Sequence, residues 1–305
     1  MMKLSSCARA FSPGGKPPYE ESVRIIGEMG FKGVELGIRV PEDLTEYYTP
    51  ATIKQLRDTC KSYNLEIPAF GVYTSAVEKL SSMVAVEREE AFDVFKRSVL
   101  VAKELGAFAV NLVTNWPYGI KAPHDYPPAY FNPWVPRSQT VQSKLYMELP
   151  DIDYSLLWDT YLDTMRACVA FVEEHGIDLY IEGHGLVIIG TTDGILRMLD
   201  QIKSDSLGVN FETAWHLIMR EYLPRSIKKL GKKIKYLHLR DGDGVWNHGL
   251  PVGSGIIHWQ SVFQALYDIG FDGHMALEVG GDPAIQYNLA SKEYIEKVLA
   301  ELGIN

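Results

Sequence analysis

The most constraining feature of the sequence is a unit that recurs along the chain: a helix-like segment, a glycine, and an apolar, β-branched run. In five places the helical segment ends at a glycine and the apolar run follows at once, at Gly30, Gly106, Gly176, Gly231 and Gly270. Glycine just past a helix adopts the left-handed cap without strain. The repeated unit therefore predicts a regular alternation of helices and strands.

Three weaker units fit the same scheme, so eight strands are predicted. They cover about residues 3–8, 33–37, 66–72, 108–114, 178–182, 207–211, 234–239 and 274–279. This alternation is typical of α/β proteins with a parallel sheet and outer helices, and eight units favour a (β/α)₈ TIM barrel formed by residues 1–305 as one domain. An open doubly wound sheet is the alternative, but no GxGxxG motif follows the first strand, which disfavours it.

One segment interrupts the alternation after strand 4, at about residues 115–153. It is rich in proline, tyrosine and tryptophan and shows no periodicity. Connections this long are uncommon in compact domains, and this one follows the C-terminal end of a strand, where barrels carry their active sites. We expect an insertion that acts as a substrate lid or a subunit contact and uses Trp116. The alternative is a packed insertion that touches no ligand.

Composition and charge narrow the class of protein. The chain of 305 residues is 46% hydrophobic and 23% charged, which is typical of globular proteins. It has no long apolar stretch and no secretory signal, so no membrane association is expected. A net charge of −9 disfavours general nucleic-acid binding. Three separated cysteines without a CxxC motif indicate a reducing compartment, and we expect a cytoplasmic protein.

Ionisable side chains stand near the predicted C-terminal ends of five strands, in runs that otherwise look buried. They are Glu35, Glu182, Glu212, His238 and Glu278, with Glu35 early in its strand. Such positions converge in a barrel, and buried carboxylates are costly unless they are paired or bind a metal. Glu and His ligands suit one divalent cation, Mn²⁺ first, with Mg²⁺, Co²⁺ or Zn²⁺ as alternatives. The structural alternative is pairing of each carboxylate with a nearby basic side chain.

The order and spacing of several segments resemble the sugar phosphate isomerase/epimerase family, the xylose isomerase-like TIM barrels. The resemblance extends over most of the chain outside the insertion. It is carried by GEMGFKGVELG, LYIEGHG, LGVNFETAWH, KIKYLHLRDGDG, LPVGSGIIHWQSVFQALYDIGFDG and MALEV.

The resemblance implies four metal ligands, Glu182, Glu212, His238 and Glu278, and Glu212 stands where the family usually has the shorter Asp. It also implies that Glu182 and Glu278 exchange protons with a sugar while the metal acts as a Lewis acid. His184 would bind a substrate hydroxyl or serve as an alternative base.

Further candidates for substrate binding follow the predicted strands or lie in the insertion. The alternative for His216 is a structural role as a core histidine. The alternative for Arg240 is to anchor the glycine-rich loop 241–255. The full set is Trp116, His216, Arg240, Trp246 and His248.

The expected activity is removal of a proton next to a carbonyl of a small carbohydrate or glycoside, by an isomerase, an epimerase or a related carbon–carbon lyase. One alternative is the catalytic subunit of a C-glycoside deglycosidase, which cleaves oxidised aromatic C-glycosides with a small β-rich partner subunit. A homo-oligomer is a further expectation. DNA repair of the AP endonuclease type is disfavoured by the −9 charge and by only eight histidines. A non-catalytic binding barrel is the remaining alternative.

Overall fold

The protein is described by a computed structural model over residues 2–119, 153–185, 187–245, 249–281 and 283–304. Eight parallel strands close into a barrel in which each strand pairs with the next and the last pairs with the first. The barrel confirms the predicted TIM fold. Its strands are β1 (Lys3–Cys7), β2 (Gly33–Ile38), β3 (Phe70–Val72), β4 (Ala109–Val113), β5 (Asp178–Glu182), β6 (Leu207–Glu212), β7 (Ile234–Leu239) and β8 (His274–Leu277).

Helices follow every strand and cover the outside of the barrel. In the described residues they are α1 (Glu20–Glu28), α2 (Asp43–Glu46), α3 (Pro50–Ser62), α4 (Thr74–Val77), α5 (Ala85–Leu105), α6 (Tyr154–His175), α7 (Thr192–Ile202), α8 (Thr213–Ile218), α9 (Leu223–Leu230), α10 (Trp259–Asp268) and α11 (Ala284–Glu301).

The two longest helices end as the sequence predicts. Helix α5 is capped by Gly106 at φ 82° and α6 by Gly176 at φ 66°, both in the left-handed region. Glycine occupies this conformation at low cost because it has no Cβ. Helix α6 also begins at a well-defined cap, since the Asp153 carboxylate accepts hydrogen bonds from the first turn.

Strand alternation decides which side chains enter the barrel. Ile181, Phe211 and Leu237 pack in the hydrophobic layer between the strands and the helices. Their neighbours along each strand point the opposite way because strand side chains alternate. The inward positions at the C-terminal ends of β5, β6 and β7 are therefore held by polar residues, namely Glu182, Asn210, Glu212 and His238.

Four predicted strands are shorter than expected, β1 by one residue at one end, β4 by one residue at each end, and β3 and β8 in ways that bear on the site. Strand β3 was predicted to begin near residue 66 but begins at Phe70, and Glu66 makes only an isolated bridge with Gly33. Pro68 lies between them and has no backbone N–H to donate to a ladder, which accounts for the late start. Strand β8 ends at Leu277, so that Glu278 lies just past it.

Most of the predicted insertion lies outside the described residues, which stop at residue 119 and resume at residue 153. Its role as a lid or a subunit contact stays a prediction. Trp246 and His248 also lie outside the described residues. Within the described ranges no helix is both long and apolar enough to cross a bilayer.

Candidate metal and catalytic site

Three of the predicted ligands converge at the C-terminal end of the barrel. Glu182 ends β5, His238 lies in β7, and Glu278 follows β8. One ligand atom from each lies within 4.8 Å of the other two. His238 Nδ1 is 3.3 Å from Glu182 Oε2 and 3.7 Å from Glu278 Oε2. All three side chains are buried, so these groups face one another rather than solvent.

This group fits a divalent cation. His238 Nδ1 and Glu278 Oε2 are buried and make no hydrogen bond within the described part of the chain. Two ligand atoms that are each about 2.1 Å from one ion stand roughly 3–3.5 Å apart, close to the separations seen here. An ion between them would satisfy His238 Nδ1, which is otherwise costly to bury, and would give Glu278 Oε2 a second partner beside Arg240 Nη2 at 3.1 Å.

His238 is oriented by Glu35 on its other side. Its Nε2 lies 2.8 Å from Glu35 Oε2 and donates to that carboxylate, which leaves the lone pair of Nδ1 facing the cluster. Glu35 is itself buried and accepts a hydrogen bond from Tyr73 at 3.3 Å. The Cys7 thiol lies 3.9 Å from His238 Nε2, and Cys7, Glu35 and His238 form a second group that could hold an ion. Without a metal, burial raises the pKa of Cys7 to about 12.

The charges at this end of the barrel do not balance. Glu35, Glu182, Glu212 and Glu278 carry four negative charges, and two guanidinium groups, Arg9 and Arg240, carry two positive ones. With neutral histidines the excess among these described groups is two negative charges, and with His238 protonated, as its raised pKa favours, it is one, so a bound cation would offset it in either state. Burying this excess uncompensated would be strongly unfavourable.

The carboxylates of the cluster are held in their ionised form. Burial raises the pKa of Glu182, but His238 and His184 outweigh it and hold the pKa well below its usual range. For Glu278 the guanidinium groups of Arg240 and Arg9 outweigh burial and lower the pKa to about 2. Burial lowers the pKa of His238, and the surrounding carboxylates outweigh it and raise that pKa. The cluster therefore attracts a positive charge, either a proton or a metal ion.

Glu182 is held by hydrogen bonds with three polar neighbours. Asn111 and Asn210 donate to its Oε2 at 2.9 and 3.0 Å, and His184 Nε2 lies 2.9 Å from its Oε1. Neither asparagine was predicted. The signal was present, because Asn111 is the one polar residue of the buried strand AVNLV and Asn210 alternates with Glu212 in the buried segment GVNFE.

Glu212 lies outside the group of converging ligand atoms. Its Oε1 accepts a hydrogen bond from Arg240 Nε at 3.0 Å, and its Oε2 accepts one from the Trp215 backbone N–H, capping α8. Both oxygens are therefore used by protein donors. Because no Glu212 oxygen is among the converging ligand atoms, the fourth-ligand role implied by the family resemblance would require the side chain to move, and it stays a prediction.

Two arginines face Glu278 from different strands. Arg9 donates to Oε1 from the segment after β1, and Arg240 Nη2 lies 3.1 Å from Oε2. Arg240 thus links Glu212 to Glu278. It lies beside the cluster, and its role in substrate binding stays a prediction. Arg9 was missed, although it follows β1 directly and could have been found by the same strand-end argument.

An aromatic wall borders the cluster beside Glu182. His184 stacks on Trp215 with ring centroids 4.5 Å apart, and Trp116 meets the other side of His184 at 5.9 Å. Trp116 is 38% exposed, so it stands at the rim. The structure therefore brings His184 and Trp116, two of the predicted residues, together.

His216 and Asp241 belong to the surrounding framework. His216 is fully buried, stacks on Phe211 and bonds Glu221 at 2.9 Å, and its described contacts do not include the cluster. Asp241 accepts hydrogen bonds from three backbone N–H groups and the Trp259 indole. Asp241 thereby anchors the loop after β7.

The sequence was also compared with known proteins. Residues 23–300 match the family described as the xylose isomerase-like TIM barrel. The chain belongs to this family. The match covers nearly all strands of this xylose isomerase-like barrel, including every residue of the converging group.

Several members of the xylose isomerase-like family are similar over nearly the whole chain. Inosose dehydratase from Clostridium perfringens is 20% identical over 93% of this chain and 91% of its own length. Fructoselysine 3-epimerase from Shigella flexneri is 22% identical over 86% of this chain and 85% of its own. The solved D-psicose 3-epimerase from Clostridium cellulolyticum H10 superimposes with a TM-score of 0.76 at 17% identity, covering 98% and 99% of the two chains.

These relatives are enzymes, which confirms the expectation that this xylose isomerase-like barrel is an enzyme of the sugar isomerase and epimerase type. At such identities the likeness to a solved structure establishes the fold alone. The likeness does not identify the reaction or the substrate of this chain.

Proposed function

We propose that the protein is a divalent-metal-dependent enzyme that removes a proton next to a carbonyl of a sugar or keto-sugar and returns it to give an epimer or an isomer. The observation that carries this proposal is the convergence of Glu182, His238 and Glu278 within 4.8 Å, with two of their buried ligand atoms lacking hydrogen bonds in the described residues. These three residues would hold the ion. Their mixed oxygen and nitrogen donors favour Mn²⁺, with Mg²⁺, Co²⁺ or Zn²⁺ as alternatives.

The bound ion would supply Lewis-acid polarisation of the substrate carbonyl. Glu182 and Glu278 act as the acid/base pair. They approach the cluster from β5 and β8, three strands apart around the barrel, and both carboxylates are ionised and able to accept a proton. After one carboxylate has taken the proton, the other inverts the carbon by delivering to its opposite face a proton that it has first taken from solvent, whereas delivery of a proton to the former carbonyl carbon gives the isomer.

His184 shares the proton taken by Glu182. Glu182 Oε1 lies 2.9 Å from His184 Nε2, so the imidazole can accept or stabilise a proton bound at that oxygen. Trp215 stacks on this histidine and Trp116 contacts it edge-on, so both rings help to hold its orientation. Arg240, which links two carboxylates, orients Glu278 and is placed to bind a substrate oxygen.

The alternative of a C-glycoside deglycosidase rests on the aromatic insertion, most of which lies outside the described residues, and we do not propose it. A cytoplasmic location is part of the proposal. Cys7, Cys60 and Cys168 are free and buried, as expected in a reducing compartment.

The proposal is tested by measuring bound metal and proton exchange on the same samples. We expect roughly one divalent ion per chain by mass spectrometry and deuterium incorporation from D₂O into ketoses beside the carbonyl. Glu182→Gln and Glu278→Gln are expected to lower the exchange rate at least about 100-fold, because each removes an acid/base group. His238→Ala is expected to lose the ion.

Glu66→Gln is the matched control. Glu66 also pairs with a histidine, His274 at 2.7 Å, but at the opposite end of the barrel, so its loss should change neither metal content nor exchange. Failure to bind an ion even after Mn²⁺ addition would refute the metal-dependent mechanism. Undiminished exchange in both glutamine variants of the cluster would refute the assigned acid/base pair.

A further inference from the structure

A large cavity adjoins the candidate metal site on the side of Glu278. It has a volume of about 960 Å³ and lies between residues 9–15, which follow β1, and the segment around the start of α11. Arg9 and Glu278 form the wall that it shares with the cluster. Glu182 and His238 do not line it, so the cavity is additional to the space around the ligand atoms.

The volume exceeds what the reacting sugar needs. Pockets of about 300–1,000 Å³ hold drug-sized ligands, and this cavity is at the upper end of that range. A monosaccharide held between Glu182 and Glu278 would leave the cavity unfilled. A substituent on the sugar would extend past Glu278 into it.

The walls favour an uncharged substituent. The charged side chains lining the described part of the cavity are Arg9 and Glu278, and these are paired with each other. Among the described lining residues a phosphate would thus meet no unpaired positive charge. The remaining walls include glycines and apolar side chains such as Phe11 and Ile25, and Ile285 is 43% exposed at the rim. Such surfaces pack against the faces of a sugar ring or an organic group.

From this geometry we infer that the substrate is a glycoside-like sugar that carries an uncharged substituent, which occupies the cavity beside Glu278. The inference rests on the proposed function, because it places the reacting carbonyl at the cluster. It identifies the substrate class as a substituted sugar rather than a free monosaccharide or a sugar phosphate.

Gly280 offers a way to fill the cavity. A side chain there would point at Ala10 on the opposite wall, with the nearest atom 3.8 Å from its Cβ. The Cβ itself is in ordinary van der Waals contact there, and the further carbons of Gly280→Leu are expected to occupy part of the cavity. Ala300→Leu is the matched control, since it adds bulk at an exposed position at the far end of α11.

The experiment compares three sugars with the full chain loaded with Mn²⁺, by calorimetry. They are D-fructose, isomaltulose (fructose with a glucosyl group on the hydroxyl of carbon 6) and D-fructose 6-phosphate. We expect isomaltulose to bind the wild type at least about tenfold more tightly than either of the others. The ratio should fall towards one in Gly280→Leu and remain in Ala300→Leu.

Equal affinities, tightest binding of the phosphate, a preference that survives Gly280→Leu, or no binding of any of the three sugars would overturn the inference. Deuterium exchange is followed on the same samples. Absence of exchange in every sugar contradicts the proposed function, whereas the affinity ratios still report on the cavity, so the two failures are distinguishable.

Discussion

Glu35 orients a proposed metal ligand, His238, although it is not one of the three proposed ligands itself. Its carboxylate holds His238 Nε2 at 2.8 Å and so directs Nδ1 towards Glu182 and Glu278. Carboxylates that bind the far nitrogen of a ligating histidine fix its orientation and raise its basicity. We expect Glu35→Gln to weaken Mn²⁺ binding about tenfold and Glu35→Ala about 100-fold, measured by calorimetric titration of metal-free protein.

Glu66→Gln serves again as the control, because it removes the charge from a similar carboxylate–histidine pair far from the cluster. Circular dichroism on all variants verifies that the barrel is intact. Unchanged Mn²⁺ affinity in a folded Glu35→Ala protein would show that packing alone orients His238.

At the scale of an element, the segment after β7 depends on Asp241. Its buried carboxylate accepts hydrogen bonds from the N–H groups of Gly242, Gly253 and Ile257 and from the Trp259 indole at the start of α10. Asp241→Asn places an NH₂ group against these donors. We expect a loss of about 2–4 kcal/mol in the free energy of unfolding, measured by urea denaturation.

Asp243→Asn is the matched comparison two residues further on. Asp243 is exposed, and its substitution should change the free energy of unfolding by less than about 0.5 kcal/mol. Equal losses in the two variants would mean that the buried network around Asp241 is not what stabilises this segment.

The sequence predicted the elements well because each carries a local signal. Helices ending at Gly106 and Gly176, and buried strands with an ionisable residue at the end, are short-range patterns. The contacts that side chains make across the barrel are not short-range patterns. Whether Glu212 faces an ion or Arg240, and whether Arg9 reaches Glu278, depends on side chains brought together by barrel closure, and no spacing in the chain encodes those contacts.

At the scale of the whole molecule, acid should weaken the outer helical layer. Glu221 joins α7, α8 and α9 by bonding Thr192, His216 and Ser226. Burial raises the pKa of Glu221, but these hydrogen bonds and the charge of His216 outweigh it and lower the pKa from 4.5 to about 2. The unfolded chain therefore binds more protons between these values, so this stabilisation is complete above pH 4.5 and is lost as the pH falls towards 2.

Melting temperatures measured in chelator between pH 6 and pH 2 test this. We expect the wild type to lose stability steeply below about pH 4.5 and Glu221→Gln to lose less over the same interval. Glu89→Gln, at an exposed position on α5, should follow the wild type. Parallel curves for Glu221→Gln and the wild type would contradict the assignment.

The pairing of β8 with β1 couples the integrity of the barrel to that of the candidate site. A closed ring of strands has no free edge, and here the first and last strands meet at one seam from Lys3 and His274 to Ser6 and Leu277. Arg9 and Glu278 face each other across its rim. A parting of this seam would also pull Glu278 away from Arg9 and His238, so opening of the ring and loss of the reactive centre are a single event.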